Sequence, residues 1–357
     1  MYKLEEGNYS KVLPLIQSRN ELSVYSVIAG IMPGEIFVNS ISNPTAALIR
    51  TSECNYIAGK TGDAEFNASA AAELDFWDQI TPDTEEWYDS IPAVHENKFI
   101  REYARRHYVL EKADMSVISA ALPEDCTLEE ISPSALKKAH YENADALLDW
   151  IKDWGDDENF CRYGAGTYIR KDNIIMSWSL SDCSYQDRIA IGIHTDERYR
   201  KRGLGAVTAA ATVRKCFERG YRQVEWLCVD KNKGSAAIAE KLGFTLSSRY
   251  RAYTSYPPIE NQRDLTETEW LSWAEYYEGA VKEEPRLRIE CLFAYIKADN
   301  PCKACQILMD IERNGQTVSY NIDGLIQYLH RLGIAGKFSE GWYKDMIGHR
   351  GYHNSNS

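Results

Sequence analysis

Apolar and polar positions alternate in two rhythms along this chain, and the changes of rhythm divide it into three segments. Over residues 1–125 short apolar runs predominate. Ser23–Ile31 and Glu35–Asn39 flank the turn signal Met32-Pro33-Gly34, and Ala46–Thr51 and Tyr56–Gly59 read as further short strands. Ser69–Trp77 and Glu85–Ser90 have helical spacing, and Phe99–Leu110 fits either a strand or a helix.

Residues 126–257 are more regular. Thr127–Ile131 predicts a strand, and Ser134–Trp154 a long helix with Leu136, Ala139, His140, Ala144, Leu147, Leu148 and Ile151 on one side. Arg162–Arg170 and Ile174–Leu180 predict strands joined at Lys171-Asp172-Asn173. Then follow a strand (Arg188–Thr195), a helix (Gly203–Arg219), a strand (Gln223–Val229), a helix (Ser235–Leu242) stopped by Gly243, and a strand (Phe244–Tyr253). The order β-α-β-β-β-α-β-α-β predicts an α/β (α+β) domain with a mixed, largely antiparallel sheet.

After Tyr256-Pro257-Pro258, residues 258–357 read as helical: Thr266–Lys282, the pair Pro285–Lys297 and Pro301–Asn314, and Ile322–Leu332. The segments 1–125, 126–257 and 258–357 are therefore the expected domains. No apolar run is long enough to span a bilayer, and the first residues lack the apolar centre of a signal peptide, so the expectation is a cytoplasmic protein without a membrane partner. Nine scattered cysteines fit reduced thiols.

Charge changes the picture more than composition does. The net charge of −12 disfavours nucleic acid as a partner. By segment, 1–125 holds 20 acids and 10 bases, 126–257 holds 18 and 20, and 258–357 holds 15 and 11. Within the middle segment, residues 126–187 carry 12 acids and 6 bases, whereas 188–257 carry 6 and 14.

The basic part contains the informative motif. Between an apolar strand and an amphipathic helix lies Ile193-His194-Thr195, then Arg200-Lys201-Arg202-Gly203-Leu204-Gly205-Ala206. Glycines let a backbone approach a ligand closely, and a helix N-terminus favours an anion, so this loop suits a diphosphate. Further on come Trp226-Leu227-Cys228-Val229, Asn232-Lys233-Gly234-Ser235 and Lys241-Leu242-Gly243-Phe244.

This run resembles the GNAT family of acetyl-CoA-dependent N-acetyltransferases. Arg200-x-x-Gly203-x-Gly205 matches the family's pyrophosphate loop, and Asn232 with Lys241–Phe244 matches its second signature. Gly192–Thr195, Trp226-x-Cys228 and Asn232-x-x-Ser235 further resemble the zwittermicin A resistance type, in which a degenerate GNAT-like half precedes the working half. The resemblance implies a GNAT fold over 126–257, with 1–125 as the degenerate half. It implies that Ile193, His194 and Thr195 line the pantetheine arm and that Arg200, Lys201, Arg202, Gly203, Leu204, Gly205 and Ala206 hold the pyrophosphate of acetyl-CoA. It implies that Asn232 and Ser235 lie beside the arm. A carboxylate base on the strand before the loop is common in the family, and Asp187 is the candidate. Ala239 stands where many relatives have a tyrosine acid, so Ser235 or water is left for that step.

The acids Glu142, Asp145, Asp149, Asp153, Asp156, Asp157 and Glu158 border the acceptor region by the same resemblance. They suggest a cationic, amine-bearing small molecule, antibiotics included, as acceptor. Two other readings stay open: a protein or peptide N-acetyltransferase, and a CoA-binding protein without catalysis. Cys302-x-x-Cys305 lacks a second ligand pair, and His349 and His353 lie in a polar tail, so no metal is expected. The stripe Trp270, Trp273, Tyr276, Tyr277 reads as core or interface. Oligomeric state is not legible.

Overall fold

The computed structural model describes residues 1–17, 21–74, 78–94, 101–111, 122–254, 265–282 and 284–313. Met1–Glu260 form one compact unit and Asn261–Ser357 a second.

A twelve-stranded sheet organises the first unit. In chain order its strands are β1 (Tyr2–Lys3), β2 (Glu35–Val38), β3 (Ala46–Arg50), β4 (Asn55–Gly59), β5 (Ile80–Pro82), β6 (Arg101–Glu111), β7 (Thr127–Glu130), β8 (Gly166–Lys171), β9 (Ile174–Tyr185), β10 (Arg188–Thr195), β11 (Gln223–Val229) and β12 (Thr245–Thr254). The helices of this unit are α1 (Leu22–Ile28), α2 (Ala64–Glu73), α3 (Ile91–Val94), α4 (Pro133–Leu136), α5 (Ala144–Ile151), α6 (Asp157–Tyr163), α7 (Leu204–Glu218) and α8 (Lys233–Lys241).

The same series of elements occurs twice. Antiparallel β2–β4 lead through α2 to β5, which runs parallel to β4. Antiparallel β8–β10 lead through α7 to β11, which runs parallel to β10. A parallel neighbour needs a crossover, and a helix supplies it both times. Each series then closes with a short helix and a last strand, α3 with β6 and α8 with β12.

Those last strands are exchanged. Across the sheet the order is β1-β2-β3-β4-β5-β12-β6-β11-β10-β9-β8-β7. Thus β6 of the first half pairs with β11 of the second, from Gln223↔Glu111 to Val229↔Arg105. In turn β12 of the second half meets β5 at Tyr253↔Ile80 and pairs with β6 along its length.

Two apolar layers cover the second half of the sheet. On one face, Ile189, Ile191, Val213, Phe217, Trp226, Ala239 and Leu242 bury α7 and α8. On the other, Val24 and Val27 of α1 join Leu147, Ile151, Trp154, Trp178 and Leu180 in one core, so the first half packs against the second.

Several boundaries differ from the sequence reading. Ser23–Ile31, read as a strand-like run, contains helix α1. Five of its seven residues are buried, so no polar face marks its period. The long helix over Ser134–Trp154 is broken: Asn143 takes φ 71°, and its amide donates to Ile175 O and to Asp196 at 2.9 Å each. Residues from Asp157 to Tyr163 form α6, and the following strand begins only at Gly166. β9 runs on to Tyr185 through Ser181, Cys183 and Ser184. Serines hide such a strand from an apolar pattern, but their hydroxyls are satisfied: Ser177 and Ser179 bond His194 O and Gly192 O, and Thr208 bonds Ser177.

In the second unit, α9 (Glu267–Ala280) starts at a capping box between Thr266 and Glu269. With α10 (Arg288–Lys297) and α11 (Pro301–Arg313) it buries Trp270, Trp273, Tyr277, Leu292, Tyr295 and Leu308. The expected helix Ile322–Leu332 and the residues around His349 and His353 lie outside the described residues. No described helix is long and apolar enough to cross a membrane.

Candidate active site

The site begins where two parallel strands part. β10 and β11 pair only at Arg188↔Gln223, Ile189↔Val224 and Ala190↔Glu225. Beyond that point β10 continues through Thr195 and β11 through Val229 without pairing to one another. The facing edges therefore offer backbone N–H and C=O groups to a ligand with an extended, amide-bearing arm. The register of β9 against β10 slips at this same level, between Ala190 and Ile191, and Asp182 is the extra residue.

At the open end of β10 the chain turns into α7. Asp196 shapes the turn: its carboxylate accepts from Arg198 N at 2.9 Å and from the Arg198 guanidinium, and Arg198 also reaches Glu142. The hydrogen bond to Arg198 holds the Asp196 carboxyl far below its usual range. Arg200 Nε donates to Thr195 O at 3.0 Å, Lys201 takes φ 61°, and Arg202 lies over the Tyr199 ring. Gly203 is the N-cap of α7 at φ 79°, and no side chain caps the helix. The first-turn N–H groups of Leu204, Gly205 and Ala206 have no acceptor within the helix. A Cβ on Gly205 would lie 3.0 Å from Ile193 and 3.2 Å from Thr195 Oγ1, so this first turn sits hard against β10. An uncapped helix start flanked by Arg200, Lys201 and Arg202 fits a diphosphate.

The corresponding helix start in the first half does not. There Asp63 is the N-cap of α2 and its carboxylate accepts from Phe66 N at 2.9 Å and from Asn39 Nδ2 at 2.8 Å. The hydrogen bond from Phe66 N, first, and then that from Asn39, keep Asp63 ionised to lower pH than usual. A negative group already fills the place where a phosphate would go.

Across the opening, Asn232 caps α8, its Oδ1 accepting from Ser235 N at 3.0 Å. Ser235 Oγ in turn accepts from Trp226 Nε1 at 2.9 Å. Its position is thereby fixed on two sides, with the hydroxyl proton still available to donate. Ala239 is fully buried in the core beneath α8. His194 stacks on Trp178 with ring centroids 4.3 Å apart. Burial, and next the Arg200 charge, push its pKa down, so the ring is neutral at pH 7.

The candidate base Asp187 lies at the other end of β10 from the loop. It lies exposed in the turn before β10, and its carbonyl accepts from Arg222 N and Gln223 N. That is the closed end of the strand pair, roughly 25 Å along an extended strand from the phosphate loop. Nor do the acids of 142–158 form one acceptor face. Glu142 pairs with Arg198, Asp149 with Lys152 and Asp157 with Lys137, while Asp156 caps α6.

The structure supplies other carboxylates. Glu225, on β11 between Val224 and Trp226, is only 1% exposed. Its Oε2 lies 2.9 Å from His107 Nε2, and its Oε1 lies 2.6 Å from Arg188. Burial would raise the Glu225 pKa, but the hydrogen bonds from His107 and Arg188 outweigh it and hold the carboxyl below its ordinary value. An acid in an otherwise apolar buried strand was the sequence signal for it. Asp182 accepts from Trp150 Nε1 at 3.0 Å. Together Asp182 and Trp150 fill the space a side chain on Gly192 would need, at 2.9 and 2.5 Å from its Cβ position. Among the described residues, no group of His, Cys, Asp and Glu is arranged to hold a metal ion.

Known proteins share this fold. The chain is 24% identical over 246 residues to an uncharacterized N-acetyltransferase, YdfB, of Bacillus subtilis (strain 168), covering 65% of this chain and 89% of that protein. It superposes on a GCN5-related N-acetyltransferase-like protein from Streptococcus suis 89/1591 with TM-score 0.57 at 24% identity, covering 70% of this chain and 98% of that one. It has the fold, at TM-score 0.50 and 12% identity, of a tandem GNAT protein from the clavulanic acid biosynthesis pathway, covering 72% of this chain and 98% of that one. The GNAT acetyltransferase family profile matches residues 13–253, which span both halves of the sheet, and the chain thus belongs to this family of acetyl-CoA-using acetyltransferases.

Proposed function

We propose that this N-acetyltransferase acetylates a primary amine on a small cationic compound. Acetyl-CoA is held with its diphosphate at Arg200–Ala206 and its pantetheine arm along Ile193–Thr195, with Asn232 and Ser235 opposite. Ser235, anchored by Trp226, is the group available to donate a proton to the leaving sulfur, in place of the tyrosine that Ala239 lacks.

One observation carries the acceptor class. Cys183 is buried on β9, opposite Ala190 at the point where β10 and β11 part. Burial first, and then the charges of Glu53, Asp182, Glu21 and Glu225, push its thiol pKa well up. Four carboxylates, two from each half, thus act on Cys183 on the face of the sheet opposite α7, and of these Glu225 is engaged by Arg188 and His107 and Asp182 by Trp150. Such a set of charges favours an ammonium group and disfavours an anionic acceptor. The resemblance to the zwittermicin A resistance type supports including an amine-bearing antibiotic among the candidates.

The test incubates the full chain and acetyl-CoA with spermidine, kanamycin, glucosamine, aspartate as an anionic amine control, and a lysine-containing tripeptide. Thiol release and product mass are read together. Gain of one acetyl group on the small cationic amines is expected. Acetylation of the tripeptide alone would favour a peptide acceptor, and binding of acetyl-CoA with no acetylated product from any amine would remove the small-amine reading.

A further inference from the structure

The first half lends β6 to the second half, and with it one histidine. His107 is paired with Leu227 of β11 on one side and Ser248 of β12 on the other. Residues directly opposite in a sheet share a face, and residues two apart along a strand share it too. Ala190 pairs with Glu225, so Glu225, Leu227 and His107 lie on the face of Ala190 and Gly192. Extending the register two residues sets Gly192 level with Leu227, and hence with His107. His107 therefore stands one strand behind Leu227, which lines one wall of the opening, while Asp182 and Trp150 stand over Gly192 on the other.

The hydrogen bonding of this histidine is one-sided. Nε2 faces Glu225 Oε2 at 2.9 Å, and the other Glu225 oxygen is engaged by Arg188. Glu225 is 1% exposed and the His107 side chain 17% exposed. A carboxylate only accepts, so Nε2 carries a ring proton and Nδ1 is the ring nitrogen left facing away from Glu225. Among the described residues no protein group is hydrogen-bonded to Nδ1. The other charged or titratable groups on this face include Arg188 on β10, Arg105 two residues back on β6, Tyr250 on β12, paired with Arg105, and Asp182 and Cys183 on β9, with Glu21 and Glu53 of the first half acting on Cys183.

We propose that His107, contributed by the first half, is the general base of the acetyl transfer, and that Glu225 is its positioning residue. This rests on the acceptor reading above. His107 Nδ1, directly or through one water, takes a proton from the acceptor's ammonium group. The freed amine forms a C–N bond at the thioester carbonyl as the C–S bond breaks. The second amine proton passes to the departing sulfur by way of the Ser235 hydroxyl. His107 returns its proton to solvent. Amide, free thiol and one released proton balance the equation.

The test compares wild type with H107Q, H107A and E225Q as full chains. A base of this kind contributes about 100-fold or more. H107Q is expected to lose that factor in kcat/KM for spermidine, while acetyl-CoA binding by calorimetry stays within about twofold. The acidic limb of its pH profile should flatten. Added imidazole should restore part of the activity of H107A, which a merely structural role would not allow. E225Q should keep acetyl-CoA affinity and shift the acidic limb. Long-range 1H–15N spectra of histidine-labelled wild type, assigned by difference from H107Q, should show His107 protonated at Nε2 and bare at Nδ1. Wild type acetylating spermidine with H107Q within about threefold of it would overturn the assignment. Protonation at Nδ1 would do so as well, and that spectrum needs no acceptor. Failure of the wild type on every amine is a separate result, and it removes the acceptor reading instead.

Discussion

Gly203→Asp is expected to weaken acetyl-CoA binding by about 100-fold or more while leaving the fold intact. The helix start at Gly203 has no side-chain cap. An aspartate there would set a carboxylate beside the first-turn N–H groups, on a left-handed backbone where Asp63 of α2 is extended. Its like charge would repel the diphosphate and compete for charge-assisted hydrogen bonds worth about 1.5–3 kcal/mol each. Folding stability should change little, because a cap contributes about 1 kcal/mol and the left-handed backbone at this position costs a similar amount. Gly203→Asn, of the same shape without charge, should lose much less affinity. Calorimetric titration with acetyl-CoA decides it: a G203D Kd within about threefold of wild type would mean that the diphosphate is held elsewhere.

The second large effect concerns folding. Glu225→Ala removes the buried partner of both Arg188 and His107. Breaking a buried ion pair from one side costs about 3–5 kcal/mol, because the remaining charge stays desolvated. The urea midpoint should fall accordingly, and a loss under about 1 kcal/mol would contradict the network. The pH dependence has a definite sign. Glu225 is held below its unfolded value by His107 and Arg188 against the opposing effect of burial. A carboxyl depressed in the folded state stabilises the fold above its unfolded pKa, about 4.3, and loses that contribution as pH falls through the folded value. Wild type should therefore lose stability more steeply than Glu225→Gln below about pH 4.

The sequence was most legible where burial is complete and local. The bounds of β10 and β11 agree with the sequence reading because each centres on apolar residues, Ile189–Ile193 and Val224–Val229 around Glu225, between polar turns. The loop and start of α7 were legible because glycine and basic residues serve the local backbone. The first half carries the same series of elements as the second although it lacks the glycine loop, and Asp63 caps the helix start where that loop would lie. What escaped depended on direction and on distant partners. Asp187 is adjacent to β10 in the chain, but linear order does not say which end of a strand pair is open. Glu225 and His107 are more than a hundred positions apart, and only the exchange of β6 makes them neighbours. The broken helix at Asn143 depends on a bond to Asp196, equally remote in the chain.

The exchanged strands also set a schedule for synthesis. β6 leaves the ribosome long before either of its sheet neighbours, β11 and β12, has been made. At about 5–20 residues per second the wait is on the order of ten seconds. Throughout it, the nascent first half exposes an unpaired β5 edge and a strand with nothing to join. Unpaired edges of this kind are open to aggregation, so a stall in translation between β6 and β12 is expected to leave a sticky half-sheet rather than a smaller enzyme.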